Sequence, residues 1–111
     1  MDKVIVYCGT ENLYPFMYLS MKSVLEYNTI NRIYFLIEHD QFPYPIPDNV
    51  ICINAKKIMN LYFPKNSVVH ECVLTYMSFM RLALSKILLN EHIVLYLDCD
   101  TLIHNSLEEI W

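Results

Sequence analysis

The chain has 111 residues, 55% of them hydrophobic, and a formal net charge of -4, which predicts one domain with a modest core and argues against a nucleic-acid binder. Its single glycine excludes a glycine-rich phosphate loop. No apolar run is long enough to span a bilayer, and the start Met1-Asp2-Lys3 lacks the features of a signal peptide, so we expect a cytoplasmic protein.

The cysteines form no C-x-x-C pair; they are Cys8, Cys52, Cys72 and Cys99. In a cytoplasmic chain this scattered pattern is typical of reduced thiols rather than of a disulfide or zinc framework. We therefore expect no structural contribution from cross-links.

The first predicted element is a strand, Val4–Cys8, which is apolar throughout and therefore central in a sheet. A polar loop, Gly9–Tyr14, follows it and contains the only glycine. Pro15 then opens a helix that ends near Asn28, since proline is favoured in the first helical turn. The residues that face the sheet on this helix share helical spacing; they are Met17, Met21, Val24 and Leu25.

Two further buried strands are predicted at Arg32–Glu38 and Val50–Ile53. Between them, the prolines of Phe42–Pro47 exclude a helix. After the third strand we expect a short helix, Ala55–Leu61, and an irregular span, Tyr62–Val69.

A long helix, roughly Cys72–Leu89, is apolar almost all round, as expected for a helix buried between layers. Its polar stripe keeps helical period and consists of Glu71, Ser78, Arg81 and Ser85. Near the end of the chain, Ser106–Glu109 has the S-x-x-E pattern of a capping box and predicts a helix start. Because the chain stops at Trp111, just as that helix begins, we expect residues 1–111 to be a single, truncated domain.

The last strand is the centre of the functional argument. Ile93–Leu97 is an apolar run without alternation, which predicts a strand buried on both faces, and it leads directly into Asp98, Cys99 and Asp100. Side chains alternate along an extended chain, so the two carboxylates are expected to project the same way. Two such carboxylates suit a hard divalent cation, and ligands bind at strand ends in open α/β sheets.

The order strand, helix, strand, strand, helix, strand predicts an α/β fold with right-handed crossovers. We expect a Rossmann-like, mostly parallel sheet of about four strands flanked by helices.

These segments resemble the N-terminal half of glycosyltransferase family 8, which has the GT-A fold. Four pieces carry the resemblance, in the family's order: Tyr7–Tyr14; Phe35–Glu38 with Phe42-Pro43-Tyr44; Met80-Arg81-Leu82; and Leu95–Thr101 through Leu107–Trp111. The last piece, a Tyr-Leu-Asp-x-Asp-Thr strand end followed by a Leu-x-x-Ile-Trp turn, is the most specific.

The resemblance implies retaining transfer of a hexose from UDP-galactose or UDP-glucose to a hydroxyl group of a saccharide or glycoconjugate acceptor. It implies that Asp98 and Asp100 hold Mn²⁺ (or Mg²⁺) against the diphosphate of the donor, with Cys99 between them in the same donor-binding motif. Arg81 would lie near the donor and pair with an aspartate of the motif. The remaining implied donor contacts are to the nucleoside and come from Thr10, Asn12 and Tyr14.

Family members are more than twice as long, and their later half supplies a histidine metal ligand, the acceptor site and the catalytic groups. The catalytic residues are therefore unknown from this chain. A catalytically incomplete fragment that binds UDP and metal weakly, or that self-associates through exposed surfaces, is the main alternative. A remote alternative is the phosphatase class that begins with Asp-x-Asp-x-Thr, but here Thr101 follows the second aspartate one place too early.

Each site residue also has a purely structural interpretation. The two aspartates could cap a turn, Arg81 could form an ordinary ion pair, Thr10 and Asn12 could be turn residues, and Tyr14 could be a core aromatic. The segment Glu38-His39-Asp40 lies at the end of a strand further from the motif, so we expect it to be solvated.

Overall fold

The structure is a computed structural model that describes residues 2–57, 88 and 90–111. Its described part contains a sheet of four parallel strands in the order β3-β2-β1-β4. The strands are β1 (Val4–Cys8), β2 (Arg32–Ile37), β3 (Val50–Asn54) and β4 (Leu95–Tyr96). The predicted parallel α/β fold is confirmed.

Strand β1 lies between β2 and β4, and all five of its residues are buried. It pairs with β2 from Val4 opposite Arg32 to Cys8 opposite Leu36. On its other side it pairs with β4 at two positions only, where Ile5 lies opposite Leu95 and Val6 opposite Tyr96. The central position predicted from the apolar sequence of β1 is confirmed.

Strand β4 is shorter and more exposed than the sequence predicted. It covers two residues, both half-buried, and Ile93, which was predicted to begin it, is 51% exposed. In the described part of the chain, β4 is the edge of the sheet and has a hydrogen-bonded neighbour on one side only. The prediction of a strand buried on both faces is therefore wrong for these residues, because an apolar run indicates a strand but does not determine what packs on its faces.

The helix after β1, α1, spans Tyr14–Tyr27, with Pro15 in its first turn and Asn28 as its C-terminal cap. A short 3-10 helix, Glu11–Leu13, precedes it. Three of the four residues predicted to face the sheet are buried, and Leu25 is partly buried against the same core; the buried three are Met17, Met21 and Val24. The helix prediction is confirmed at both ends.

The core has two parts, one on each face of the sheet, because successive side chains of a strand alternate. On the α1 face, Ile5 and Tyr7 join a large cluster with Met17 and Phe35. On the opposite face, a smaller cluster consists of Val6, Cys8, Leu36, Ala55 and Leu88. Residues 55–57 are helical, as predicted. The rest of the predicted short helix, the irregular span Tyr62–Val69 and the long helix Cys72–Leu89, apart from Leu88, lie outside the described residues.

Two segments pack against the outside of α1. The proline-spaced loop is not helical, as predicted, and its Tyr44 stacks on Tyr18 of α1 with ring centroids 5.1 Å apart. The segment after β4 runs along α1: Ile103 N–H donates to Ser23 Oγ at 2.9 Å, and Leu107 N–H donates to Asn28 Oδ1 at 2.7 Å.

The chain ends in a 3-10 helix, Glu108–Ile110, at the position where the capping-box pattern predicts a helix start. Ser106 Oγ accepts from the N–H of Glu108 at 3.1 Å, rather than from that of Glu109 as a full capping box requires. Among the described residues no helix is both long and apolar enough to cross a membrane.

Candidate functional site

Three connections meet at the carboxyl end of the sheet, because β1 pairs in parallel with β2 on one side and with β4 on the other. They are the loop after β1 (residues 9–13), the loop that begins at Glu38, and the turn after β4 (residues 98–101). The carboxyl ends of parallel strands are where open α/β sheets bind ligands. We call the region formed by these three connections the candidate site.

The turn after β4 carries the two aspartates. Leu97 N–H continues the pairing to Val6 with a 3.1 Å bond to its carbonyl, and Thr101 N–H then reaches the Asp98 carbonyl at 3.3 Å. Asp98 and Asp100 are both exposed. Both side chains belong to a turn and not to an extended strand. The prediction that they project the same way assumed strand alternation, and that assumption is wrong for these residues. Within the described residues neither carboxylate has a hydrogen bond or an ion pair.

Cys99 attaches this turn to the end of β1. Its buried Sγ–H donates to the carbonyl oxygen of Cys8 at 3.1 Å, which joins residues 91 positions apart in the sequence. Burial, and to a lesser degree the neighbouring Asp98 and Asp100 charges, raises the pKa of the Cys99 thiol to about 12. The thiol therefore keeps its proton at neutral pH and acts as a donor within the protein. The implied role of Cys99 in donor binding stays a prediction. Because the thiol is bonded to Cys8, any contact with the donor would have to come from the backbone of Cys99.

Gly9 lies where the loop, α1 and the turn come closest together. A Cβ atom at this position would lie 2.6 Å from Met17 Sδ and 3.1 Å from Cys99 Sγ. The backbone here does not adopt a positive φ angle, so the requirement for glycine comes from space and not from conformation. Sequence reasoning missed this role; the occurrence of the only glycine directly after a buried strand was the available signal.

Thr10 and Asn12 interact with each other in the loop after β1. Thr10 Oγ1 donates to Asn12 Oδ1 at 2.5 Å, and the carbonyl of Thr10 accepts from Leu13 N–H at 2.8 Å. Asn12 is exposed and Thr10 is half-buried. The two residues thus form a local turn, and their contact with a nucleoside stays a prediction.

Tyr14 connects the loop after β1 to the loop after β2. Its ring is 2% exposed, and its hydroxyl accepts from Glu38 N–H at 2.7 Å and lies 3.1 Å from His39 Nδ1. Burial, as the largest cause, raises the pKa of this phenol. The face of the ring is therefore occupied by protein, and any contact with the donor stays a prediction.

Sequence reasoning missed the contribution of the loop after β2. His39 and Asp40 are exposed, as predicted, but Glu38 is half-buried and its Oε1 accepts from Glu11 N–H at 2.7 Å. A cavity of about 570 Å³ opens beside this contact. The cavity is lined by Glu11, Tyr14, His39, Asp40, Gln41 and Pro43. The adjacency of β1 and β2 in a parallel sheet was the signal that could have found it.

The chemistry of the two aspartates suits a hard cation such as Mn²⁺ or Mg²⁺, which binds carboxylate oxygens. Among residues 2–57, 88 and 90–111, no group of three or more histidine, cysteine, aspartate and glutamate side chains could hold a metal ion. Further oxygen ligands would have to come from a bound phosphate and water. Arg81, the implied partner of the motif, lies outside the described residues.

Comparison with known proteins gives one match. The family model for glycosyl transferase family 8 matches residues 4–111, from the first residue of β1 to the last residue of the chain. No curated protein and no solved structure matched the chain. Since the family match includes every described strand and both the loop and the turn of the candidate site, the chain belongs to glycosyl transferase family 8.

Proposed function

We propose that this chain is the nucleotide-sugar-binding part of a glycosyltransferase that moves a hexose from UDP-galactose or UDP-glucose to a hydroxyl group of a saccharide or glycoconjugate, with retention. Family membership supports glycosyl transfer as the general activity, with a nucleotide-sugar donor and an acceptor as substrates. The choice of UDP and the retention of configuration are supported by the resemblance of the Asp98-Cys99-Asp100 motif and its surroundings to the family pattern.

The observation that carries the proposal is the contact between the turn after β4 and the end of β1. Through the 3.1 Å bond from Cys99 Sγ to the Cys8 carbonyl, two exposed carboxylates lie beside a loop rich in hydrogen-bonding groups. A nucleoside diphosphate has a charged end and a neutral, hydrogen-bonding end. An arrangement with carboxylates for a cation on one side and Thr10 and Asn12 on the other suits both ends.

Asp98 and Asp100 would hold the divalent cation, Mn²⁺ or Mg²⁺. Bound there, the cation would supply positive charge against the diphosphate as UDP leaves. The residues of the chain contribute orientation: the Cys99 thiol fixes the turn to β1, and Gly9 leaves the space in which the turn and α1 approach each other.

The loop residues would bind the nucleoside. The Thr10 hydroxyl and the Asn12 amide are hydrogen-bonded to each other. When uridine binds, this one bond within the protein can be replaced by hydrogen bonds from both side chains to the nucleoside. Tyr14 supports the loop from below by joining it to Glu38 and His39. Arg81, which completes the proposed donor contacts, is assigned from the resemblance alone.

The test is isothermal titration calorimetry of the 111-residue chain with UDP, in the presence of Mn²⁺ and again with EDTA. We expect binding heat that depends on the metal and disappears in an Asp98→Ala, Asp100→Ala double variant. Absence of binding by a chain that circular dichroism shows to be folded would contradict donor binding. It would favour the alternative of an incomplete fragment.

A further inference from the structure

A line of hydroxyl groups connects the centre of the core to the turn that carries the aspartates. Tyr7 Oη lies 2.8 Å from Ser20 Oγ, and Ser20 Oγ lies 3.0 Å from Thr101 Oγ1. Thr101 Oγ1 in turn donates to the carbonyl oxygen of Asp98 at 2.8 Å. We call these three side chains the hydroxyl relay. It joins β1, α1 and the turn after β4.

The direction of the relay follows from proton counting, because each hydroxyl group has one proton to donate. Thr101 uses its proton on the Asp98 carbonyl, so it must accept from Ser20. Ser20 therefore accepts from Tyr7, whose proton begins the relay. Burial raises the pKa of Tyr7 to about 12, so this proton is retained at neutral pH. Hydrogen bonds that point one way along a chain strengthen one another in a low-dielectric interior.

The burial of Ser20 needs a reason. Ser20 is fully buried, with 0% exposure. Alanine would fit a helix packed against a sheet without the cost of burying a hydroxyl group. The position of Ser20 on α1, opposite Thr101, indicates that its hydroxyl is used to hold the turn.

The turn also needs a restraint from outside. Its two exposed carboxylates are separated by one residue and repel each other when no cation lies between them. The backbone bond across the turn, from Thr101 N–H to the Asp98 carbonyl, is long at 3.3 Å. The shorter bond from the Thr101 hydroxyl reaches the same carbonyl oxygen, so the closure of the turn depends on a side chain that Ser20 in turn fixes.

We propose that Tyr7 and Ser20 are positioning residues of the candidate site, which act through Thr101 to hold the Asp98–Thr101 turn in its cation-binding conformation. This inference rests on the proposed function, in which Asp98 and Asp100 are the metal ligands. Neither Tyr7 nor Ser20 touches the donor. Partners that fix metal ligands from behind commonly change metal affinity by about 10- to 100-fold when they are removed.

The experiment compares four variants of the full chain. Ser20→Ala and Thr101→Val break the relay, whereas Thr101→Ser keeps the hydroxyl group at this position and removes only the methyl group. Ser23→Ala is the matched control: Ser23 lies one turn further along α1, and its hydroxyl accepts from Ile103 N–H and donates to the backbone carbonyl of Ser20, so it does not touch the side chains of the relay. Two quantities are measured, the affinity for UDP at fixed Mn²⁺ and, without metal, the amide hydrogen exchange of residues 99–101.

We expect Ser20→Ala and Thr101→Val to weaken metal-dependent UDP binding by about tenfold and to speed amide exchange in the turn, while exchange in β1 stays slow. Thr101→Ser should bind as the wild type does, and Ser23→Ala should lose stability without losing affinity. Wild-type affinity and unchanged exchange in Ser20→Ala would overturn this inference alone. Absence of metal-dependent binding in the wild type would instead overturn the proposed function, and unchanged exchange of the turn in Ser20→Ala would then also overturn the relay.

Discussion

The two ends of β4 carry carboxylates in opposite situations. Before the strand, the Glu91 side chain is 6% exposed and accepts from Arg32 Nε at 2.6 Å, from Arg32 Nη2 at 2.7 Å and from the Tyr34 hydroxyl at 2.7 Å. After the strand, Asp98 and Asp100 are exposed. In the part of the chain that the structure describes, no side chain neutralises them. The same chemical group is thus enclosed at the amino end of the strand and open at the carboxyl end.

This difference separates stability from ligand binding. A carboxylate that accepts charged hydrogen bonds from the protein stabilises the folded state, and the Arg32 bonds to Glu91 join segments 59 residues apart. Unpaired carboxylates separated by one residue contribute repulsion instead, which a bound cation would remove. Substitutions at the two ends should therefore change different measured quantities.

The largest expected effect is on binding, from an Asp98→Asn, Asp100→Asn double variant. Asparagine keeps the size of each side chain and removes the charge that holds a cation. We expect metal-dependent UDP affinity to fall by more than about 100-fold, or about 2.8 kcal/mol, measured by calorimetry. The unfolding free energy in urea should stay unchanged or rise slightly, because the repulsion between the two aspartates is lost. A large loss of stability would show that these carboxylates are structural after all.

Gly9→Ala should affect both quantities, because Gly9 lies between the core and the turn. Its new Cβ atom would be 2.6 Å from Met17 Sδ and 3.1 Å from Cys99 Sγ, so the Met17 side chain must shift within the core and Cys99 must move slightly. Overpacking of this kind costs about 1–3 kcal/mol, and displacement of Cys99 should also weaken UDP binding. Urea denaturation and calorimetry on the same sample measure the two effects. In a double variant with Met17→Ala, which removes the closest contact, part of the affinity should return; no recovery would contradict the steric explanation.

Glu91→Gln is the counterpart of the aspartate double variant. Glutamine keeps the size of the side chain but loses the charge to which Arg32 donates. We expect the unfolding free energy to fall by about 1–2 kcal/mol. The loss is smaller than for a fully buried charge pair, because the Arg32 side chain is 33% exposed. UDP affinity should stay within about twofold of wild type, which corresponds to about 0.4 kcal/mol, because Glu91 lies before β4 and the candidate site follows it. A strong loss of affinity with unchanged stability would reverse the assignment of the two ends.

Local sequence patterns predicted much of the fold. The unbroken apolar run predicted β1, and both elements predicted in this part of the chain are confirmed. The helix α1 was predicted from the proline at its start and from the period of Met17, Met21 and Val24. The order of the elements predicted the parallel sheet, because a helix between two strands carries the chain back to the end of the sheet where the first strand began.

Contacts between distant segments could not be predicted in this way. The sequence does not indicate that Ser20 meets Thr101, 81 positions later, or that Arg32 meets Glu91. For the candidate site, the sequence predicted the residue types and the edge of the sheet. It treated Asp98–Thr101 as the continuation of a strand, whereas the side chain and the backbone of Thr101 close a turn there. Such closure depends on what packs beneath the segment and not on its own apolarity.

The smallest expected effect is the pH dependence of stability at the amino end of β4. Hydrogen bonds from Arg32, helped by the Tyr34 hydroxyl, hold the pKa of Glu91 below its ordinary value of 4.5. The unfolded chain therefore takes up a proton at a higher pH than the folded chain does. The stabilisation by Glu91 is complete above the unfolded pKa and is lost as pH falls through the lowered folded value.

The measurement is the difference in urea unfolding free energy between wild type and Glu91→Gln, followed from about pH 6 to about pH 3. We expect the difference to be constant near pH 6 and to shrink below about pH 4.5, because a protonated Glu91 resembles glutamine. Hydrogen bonds from Asn54 and Lys57 also lower the pKa of Asp40. The contribution of Asp40 to the pH dependence is the same in both proteins and cancels when the two curves are subtracted. A difference that does not change with pH would mean that the charge of Glu91 adds nothing to stability, and the enclosed end of β4 would then differ from the open end in packing alone.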